Sequence, residues 1–299
     1  MELRHLRYFL TIVELDNLSR AAEKLCVAQS TLSHALRQLE EELGIALFDR
    51  VGRTMRLTQA GRVFRDYAAR TCNEATRAKR AMQELNELDA GTFTLGAIPV
   101  FPLAFLPRTV SAFNQRHPKV RIVVQDLLAA QLEEKLALGM LDLGIAFHPA
   151  SRDDVESEPL FSERLVLAVG REHPFARKRR VQWRTLDSIP LALFPPKFST
   201  RILIEDAFKA ANVQLQVAVE MDSTESLLAV AAEGQLATIV PETAATGFER
   251  VNLIPITQPE LSRQLGLLWP KGAGRTRAAT TFAGMLKEMS MAVRKGQKA

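Results

Sequence analysis

Residues 17–44 read NLSRAAEKLCVAQSTLSHALRQLEEELG, and this stretch decides the fold. Ser19 follows a break at Asp16-Asn17-Leu18 and is placed to cap a short helix, Arg20 to about Leu25, by accepting from its free amides. Ala21 and Ala22 keep that helix slim enough for close packing. Cys26-Val27-Ala28 turns the chain, and a second helix runs from Gln29 or Ser30 to Leu43, with Gly44 as its stop. On that helix Leu32, Leu36, Leu39 and Leu43 form one apolar stripe. The opposite face carries Thr31, His34, Arg37 and Gln38, with Gln29, Ser30 and Ser33 at the leading end. Short polar groups near a helix amino terminus are what base edges in the major groove require. On spacing alone two readings stand: a helix-turn-helix that reads DNA, or a core helix with a solvated polar face.

Upstream, Leu3, Leu6, Leu10 and Val13 recur at helical spacing with Phe9 on the flank, so residues 2–15 form an amphipathic helix. Downstream, Arg50, Arg53, Arg56, Arg62 and Arg65 face a single acid, Asp49, within residues 49–65. The net charge of +5 permits a polyanionic partner, and this cluster lies beside the DNA-reading element. Two other basic runs, Arg177-Lys178-Arg179-Arg180 and Arg294, Lys295 and Lys298, read as solvated surface. The 299 residues suffice for two domains, and 47% hydrophobic with 24% charged residues excludes disordered, collagen-like and low-complexity chains. No apolar run is long enough to span a membrane. Met1-Glu2-Leu3-Arg4-His5 shows no export signal, and two cysteines, Cys26 and Cys72, build no disulfide framework. The expectation is a reduced, cytoplasmic protein.

Residues 17–25, Gln29, Ser33, RQLEEELGIALFDR (37–50) and LTQAG (57–61) closely resemble the amino terminus of LysR-type transcriptional regulators. The match spans about 60 contiguous residues, and the chain length suits the family. Ala28 and Ser30 depart from the Ser and Pro common in the family's turn, which bears on helix entry and base preference. The resemblance implies an α/β protein: an N-terminal winged helix-turn-helix, a long linker helix, and a two-subdomain effector domain like periplasmic solute-binding proteins. It implies a wing over Phe48–Thr58, with Arg50, Arg53 and Arg56 near phosphates or the minor groove. Base contacts fall to Gln29, Ser30, Thr31, Ser33, His34 or Arg37 on double-stranded DNA. His34 is either a pH-sensitive contact or a plain surface histidine.

The expected division is 1–58 for the DNA-binding domain and 59–90 for the linker and hinge. The effector domain then covers 91–299, with subdomain I about 91–161 and 265–299 and subdomain II about 162–264. A proline-free helix from Thr58 to about Leu88 places Phe64, Ala68, Thr71, Ala75, Ala78, Met82 and Leu85 at coiled-coil steps. Two readings stand, a dimer seam or a helix buried against the protein's own body. The resemblance favours an antiparallel linker-helix dimer within a homotetramer. Cys72 beside the seam is either redox-active or inert packing. Asp89-Ala90-Gly91-Thr92 reads as the hinge.

Beyond residue 92, apolar runs alternate with helical stretches. Strands are expected at Phe93–Ile98, Val120–Gln125, Leu141–Phe147, Leu165–Val169, Pro190–Phe194, Leu215–Glu220, Leu236–Val240, Val251–Ile256 and Leu265–Trp269. Helices are expected at Leu103–Gln115, Ala130–Leu138, Thr200–Ala211, Ser223–Glu233 and Arg277–Val293. Such alternation argues for mainly parallel sheets. The resemblance places subdomain crossings near Phe161–Arg164 and Ser262–Leu265, with an effector cleft lined by Pro99, Val100, Phe101, Phe147, Lys197, Phe198, Ser199, Thr200, Arg201 and Thr224. Helix amino termini and hydroxyls there, with charge from Lys197 or Arg201, suit a small anionic or carboxylate effector. Ser199 and Thr200 serve equally as helix caps. Ile98-Pro99-Val100 lacks the hydroxyl many relatives carry. The pattern at 142–147 and 198–201 most resembles cyanate-operon regulators.

No enzyme is expected. The five histidines are scattered, and no nucleophile elbow, phosphate loop or dinucleotide fingerprint occurs. No cofactor or metal is implied. The competing function is a solute-binding module whose N-terminal helices only dimerise.

Overall fold

The computed structural model describes residues 1–51, 54–86, 91–99, 105–245 and 247–296. Two compact units emerge, Met1–Leu88 with Ala137–Met140, and Asp89–Leu136 with Leu141–Ala299.

The first unit runs α1 (Leu3–Leu15), α2 (Leu18–Lys24), α3 (Gln29–Leu43), the antiparallel hairpin β1 (Phe48–Val51) and β2 (Thr54–Leu57), then α4 (Gln59–Asn86). Leu6, Phe9, Ile12, Leu32, Leu36 and Leu39 meet in its core. On α1 the buried face is centred on Phe9 and Ile12, while Leu10 and Val13 are only partly buried and Leu3 is exposed, a correction to the expected stripe. Asn17, rather than Ser19, caps α2. Its Oδ1 accepts from the Arg20 amide at 3.0 Å, which lets the helix start two residues earlier. Gly44 ends α3 in the left-handed region at φ 68°.

The wing is tied down at three points. Glu40 of α3 accepts from the Leu47 and Phe48 amides at 2.7 and 3.2 Å. The Met55 amide donates to the Asp16 carbonyl at 3.1 Å. Thr58 donates to the Ala46 carbonyl at 2.9 Å, and its hydroxyl accepts from the Gly61 amide at 2.9 Å. A Cβ at Gly61 would lie 2.1 Å from the Leu47 carbonyl oxygen, so the start of α4 sits on the wing only because residue 61 is glycine.

The second unit contains β3 (Gly91–Ala97), α5 (Leu106–Arg116), β4 (Val120–Asp126), α6 (Ala129–Ala137), β5 (Leu143–Phe147), β6 (Val155–Gly170), β7 (Val181–Gln182), β8 (Pro190–Leu193), α7 (Ser199–Ala210), β9 (Gln216–Glu220), α8 (Thr224–Ala232), β10 (Ala237–Pro241), α9 (Glu242–Ala245), β11 (Val251–Thr257), β12 (Ser262–Pro270) and α10 (Arg277–Gly296). Gly91 and Thr92, expected as hinge, open β3; Asp89 and Ala90 lie outside the described residues. Among the described residues no helix is long and apolar enough to cross a membrane.

The strands order as β4-β3-β5-β12-β6-β10-β8-β9, with β11 on β6 and β7 on β11. The sheet is mixed, which corrects the expectation of mainly parallel strands. β6 pairs antiparallel with β12, β10 and β11, and β12 with β5. The cause is the 16-residue β6, which changes partners midway. Val155–Arg164 pairs with β12, while Leu165–Gly170 pairs with β10 and β11. Only its second half reads as an apolar run. The first half carries Glu156, Glu158, Pro159 and Glu163 and lies at a sheet edge, where proline is tolerated. Leu165, Leu167 and Val169 feed one core beside Trp183 and Phe208, and Ala168 feeds another beside Phe194, Phe198 and Leu227. This is the two-face burial of an inner strand.

Candidate functional site

On α3, Gln29, Ser30, Thr31, His34, Arg37 and Gln38 are exposed and Ser33 is half-buried, opposite the buried Leu32, Leu36 and Leu39. Ala28 holds the N-cap position without a side-chain bond, so the helix opens with undecorated amides. Ser19 does not cap α2; its hydroxyl donates to Gln29 Oε1 at 3.1 Å and links the two helices at the leading end. Arg37 Nε donates to the Ser33 carbonyl at 3.4 Å, a weak bond on an otherwise open guanidinium face. Arg56 is exposed on β2, opposite Asp49 in register. Arg50 lies on β1, and Arg53 lies outside the described residues.

α4 splits its expected seam. Phe64 is half-buried and Ala68 buried in the core of the first unit, with the Phe64 ring edge-on to Phe9 at 5.1 Å. For these two, burial against the chain's own body replaces the seam reading, because the first turns of α4 lie on α1. Thr71, Ala78 and Met82 are exposed and Ala75 is half-buried; Leu85 lies in the last turns of α4. An open apolar groove lined by Leu43, Ile45, Val63, Phe64 and Tyr67, unforeseen from spacing, sits beside them. Ile45, Val63 and Tyr67 are more than half exposed, at 53%, 58% and 61%. Cys72 is buried, and burial pushes its thiol up despite the opposing charge of Arg7, which disfavours the thiolate that redox chemistry needs.

In the second unit a small cavity is lined by Ile98, Pro99, Leu128, Ala129, Phe147, Phe198, Ser199 and Thr200. Five expected cleft residues, Pro99, Phe147, Phe198, Ser199 and Thr200, therefore meet. Val100 and Phe101 lie outside the described residues. Lys197 is exposed, its ammonium 5.7 Å from the Phe198 ring centre, and Thr224 is buried in the first turn of α8; neither lines this cavity. The free volume is about 10 Å³, roughly the room of one water.

Arg201 is a correction. Its guanidinium donates to the Phe194 carbonyl at 2.7 Å and to Glu205 and Glu220 at 2.9 Å each. Two carboxylates and a carbonyl consume its charge as a structural clamp on α7 and β9, so it supplies none to the cavity.

The charge behind the cavity is Arg263, which sequence reasoning missed. It stands opposite Glu163 in the β12–β6 register, and Nε donates to Glu163 at 2.6 Å. Nη1 donates to Thr200 Oγ1 at 2.8 Å, and the guanidinium lies 5.3 Å from the Phe147 ring centre. Thr243 donates to the other Glu163 oxygen. Burial lowers the Arg263 pKa and the Glu163 charge opposes that shift. The signal existed: opposite charges on the two segments expected to cross between subdomains. Among the described residues no cluster of three or more metal-ligating side chains occurs.

Residues 3–62 match the bacterial regulatory helix-turn-helix proteins of the lysR family, and residues 86–290 match the LysR substrate binding domain. The Hca operon transcriptional activator HcaR of Escherichia coli is 32% identical over 280 residues, covering 91% of this chain and 93% of that protein. Full-length OxyR from Pseudomonas aeruginosa, solved as a point variant, superposes with a TM-score of 0.74 at 25% identity, covering 96% of this chain and 98% of that one. Full-length CbnR in complex with its target DNA superposes at 0.67 with 23% identity, covering 97% and 100%.

Proposed function

The chain belongs to the LysR-type transcriptional regulator family, and on that premise we propose that it reads its operator with the exposed face of α3. It is a DNA-binding transcriptional regulator with an effector-binding domain, not an enzyme. The match over residues 3–62 sets aside the alternative of a solute-binding module with merely dimerising helices. Gln29, Ser30, Thr31, Ser33, His34 and Arg37 contact base edges, while Arg50, Arg53 and Arg56 hold phosphates. One observation carries this reading: a polar helix face, exposed except for the half-buried Ser33, over a leucine stripe, with Glu40 locking the adjacent wing root.

The protein acts as a dimer and assembles to a tetramer. The apolar groove at Ile45, Val63 and Tyr67 and the exposed Met82 support a dimer contact through the outward face of α4, to which the buried Ala68 does not contribute. The domain limits follow as 1–58, 59–90 and 91–299, with the partner change within β6 supporting a subdomain crossing at Phe161–Arg164. The effector is a small anion or carboxylate, held at Ser199 and Thr200 by hydroxyls and the amino end of α7. The present cleft admits about one water, so binding requires it to open. A differential affinity of about 1–3 kcal/mol between two states suffices for a switch. The relatives carry the family and no branch within it; the cyanate-operon likeness rests on residues 142–147 and 198–201 alone.

Selection from a random DNA pool tests the reading. Recovery of a dyad with half-sites about one helical turn apart, or a multiple of that, is the expected result. Only sequence-independent, steeply salt-dependent binding would overturn the α3 assignment.

A further inference from the structure

We propose that Arg263 is a positioning residue that fixes the hydrogen-bond polarity of the effector cleft: it makes Thr200 a donor there, so the cleft selects carboxylates over their neutral amides. This rests on the effector-binding reading above and names the chemistry of that same site. Three observations carry it. First, a guanidinium has donors only, so the 2.8 Å contact from Arg263 Nη1 commits the Thr200 oxygen to accepting. Second, Thr200 is 1% exposed and lines the cavity, and among the described residues its own proton meets no acceptor. Third, Arg263 is held by strand register against Glu163 and lies against Phe147, so the polarity is built in rather than fluctuating.

The consequence is asymmetric recognition. A carboxylate offers two acceptor oxygens to the Thr200 hydroxyl and the amino end of α7. An amide of the same shape replaces one oxygen with an NH2 group, whose protons face donors and stay unpaired. The neighbouring guanidinium polarises the Thr200 O–H and strengthens the bond to an anion. Glu163 neutralises Arg263, so discrimination comes from donor placement rather than from an uncompensated charge.

The test titrates full-length protein by calorimetry with acetate and benzoate, and with acetamide and benzamide. The wild type is expected to prefer each acid by about tenfold or more, the worth of one charge-assisted hydrogen bond. Thr200→Ser keeps that preference, whereas Thr200→Val, which removes the hydroxyl both as donor to the cleft and as acceptor of Arg263, brings it below about threefold. A paired Glu163→Gln, Arg263→Gln variant, which leaves no buried charge, lowers the preference likewise. If that pair does not fold, the Thr200→Val and Thr200→Ser comparison decides. Wild type that binds none of the four compounds, or shows no acid preference, overturns the proposal, as does a Thr200→Val variant that keeps the preference. Operator binding by the same preparations separates the outcomes. A protein that binds its operator without acid preference refutes only this inference, whereas one that recognises no DNA sequence refutes the regulator reading.

Discussion

The face of α3 and the cleft beside α7 both place polar side chains at a helix amino end, yet they are prepared in opposite ways. On α3 the side chains of Ser30, Thr31, His34 and Gln38 stand exposed without partners among the described residues, and the supporting bonds lie underneath, at Glu40, Thr58 and Asp16. Behind the cleft, the buried Thr200, Arg263 and Glu163 are already joined to one another, and the half-buried Thr243 donates to Glu163 in turn. A surface that meets a long polyanion needs groups in water ready for exchange. A site for a small ligand has to desolvate its groups and therefore fixes them in advance. The difference sets where each unit is fragile: the head at its backbone contacts, the cleft at its charges.

Glu163→Ala attacks the cleft at its weakest point and has the largest expected effect. It strands the Arg263 guanidinium in the core, at a cost of about 3–5 kcal/mol. Thermal melting should show the effector unit destabilised while the isolated transition of the head stays put. An unchanged melt would mean that the pair is not desolvated. Gly61→Ala tests the head in the same spirit by forcing a methyl against the Leu47 carbonyl. Overpacking of this kind costs about 1–3 kcal/mol, read as a lower head transition and weaker operator binding.

A smaller contrast separates two residues that look interchangeable in sequence. Asn17→Ala should cost about 1 kcal/mol by removing the α2 cap. Ser19→Ala, which loses only the bond to Gln29, should leave stability nearly intact and act on DNA affinity instead. Chemical denaturation of both variants reads the difference, and a reversed order would return the cap to Ser19. The smallest effect concerns pH. Burial lowers the pKa of His173, whose Nδ1 accepts from the Phe175 amide at 3.1 Å. The unfolded chain thus takes up a proton before the folded one does, so the contribution is whole above about 6.5 and is lost as pH falls below it. His173→Gln should flatten that part of the stability profile; an unchanged slope would assign it elsewhere.

The helices of the head were legible because a leucine stripe at steps of three and four has one sensible burial, and because Gly44 marks its own end. The cap is ambiguous in sequence because Asn17 and Ser19 are both capping types two residues apart, and only backbone conformation chooses between them. In the effector unit, strands buried on both faces announced themselves as apolar runs. The first half of β6 did not, since an edge strand with Pro159 and three glutamates has no such pattern. Arg201 misled because a helix-start arginine looks the same whether it faces a ligand or two carboxylates. Glu163 and Arg263 are 100 residues apart, and their meeting depends on register that local periodicity does not contain.

The proposed division of labour is that α3 reads bases while the wing holds phosphates. Its most direct test compares Arg37→Ala and Arg56→Ala on the selected operator and on a scrambled duplex at two salt concentrations. Arg37→Ala is expected to lose about 1–3 kcal/mol on the operator and little on the scrambled duplex. Arg56→Ala should weaken both alike and reduce the salt slope by about one. If both variants bind both duplexes as the wild type does, the face of α3 is not the reading surface and the account fails.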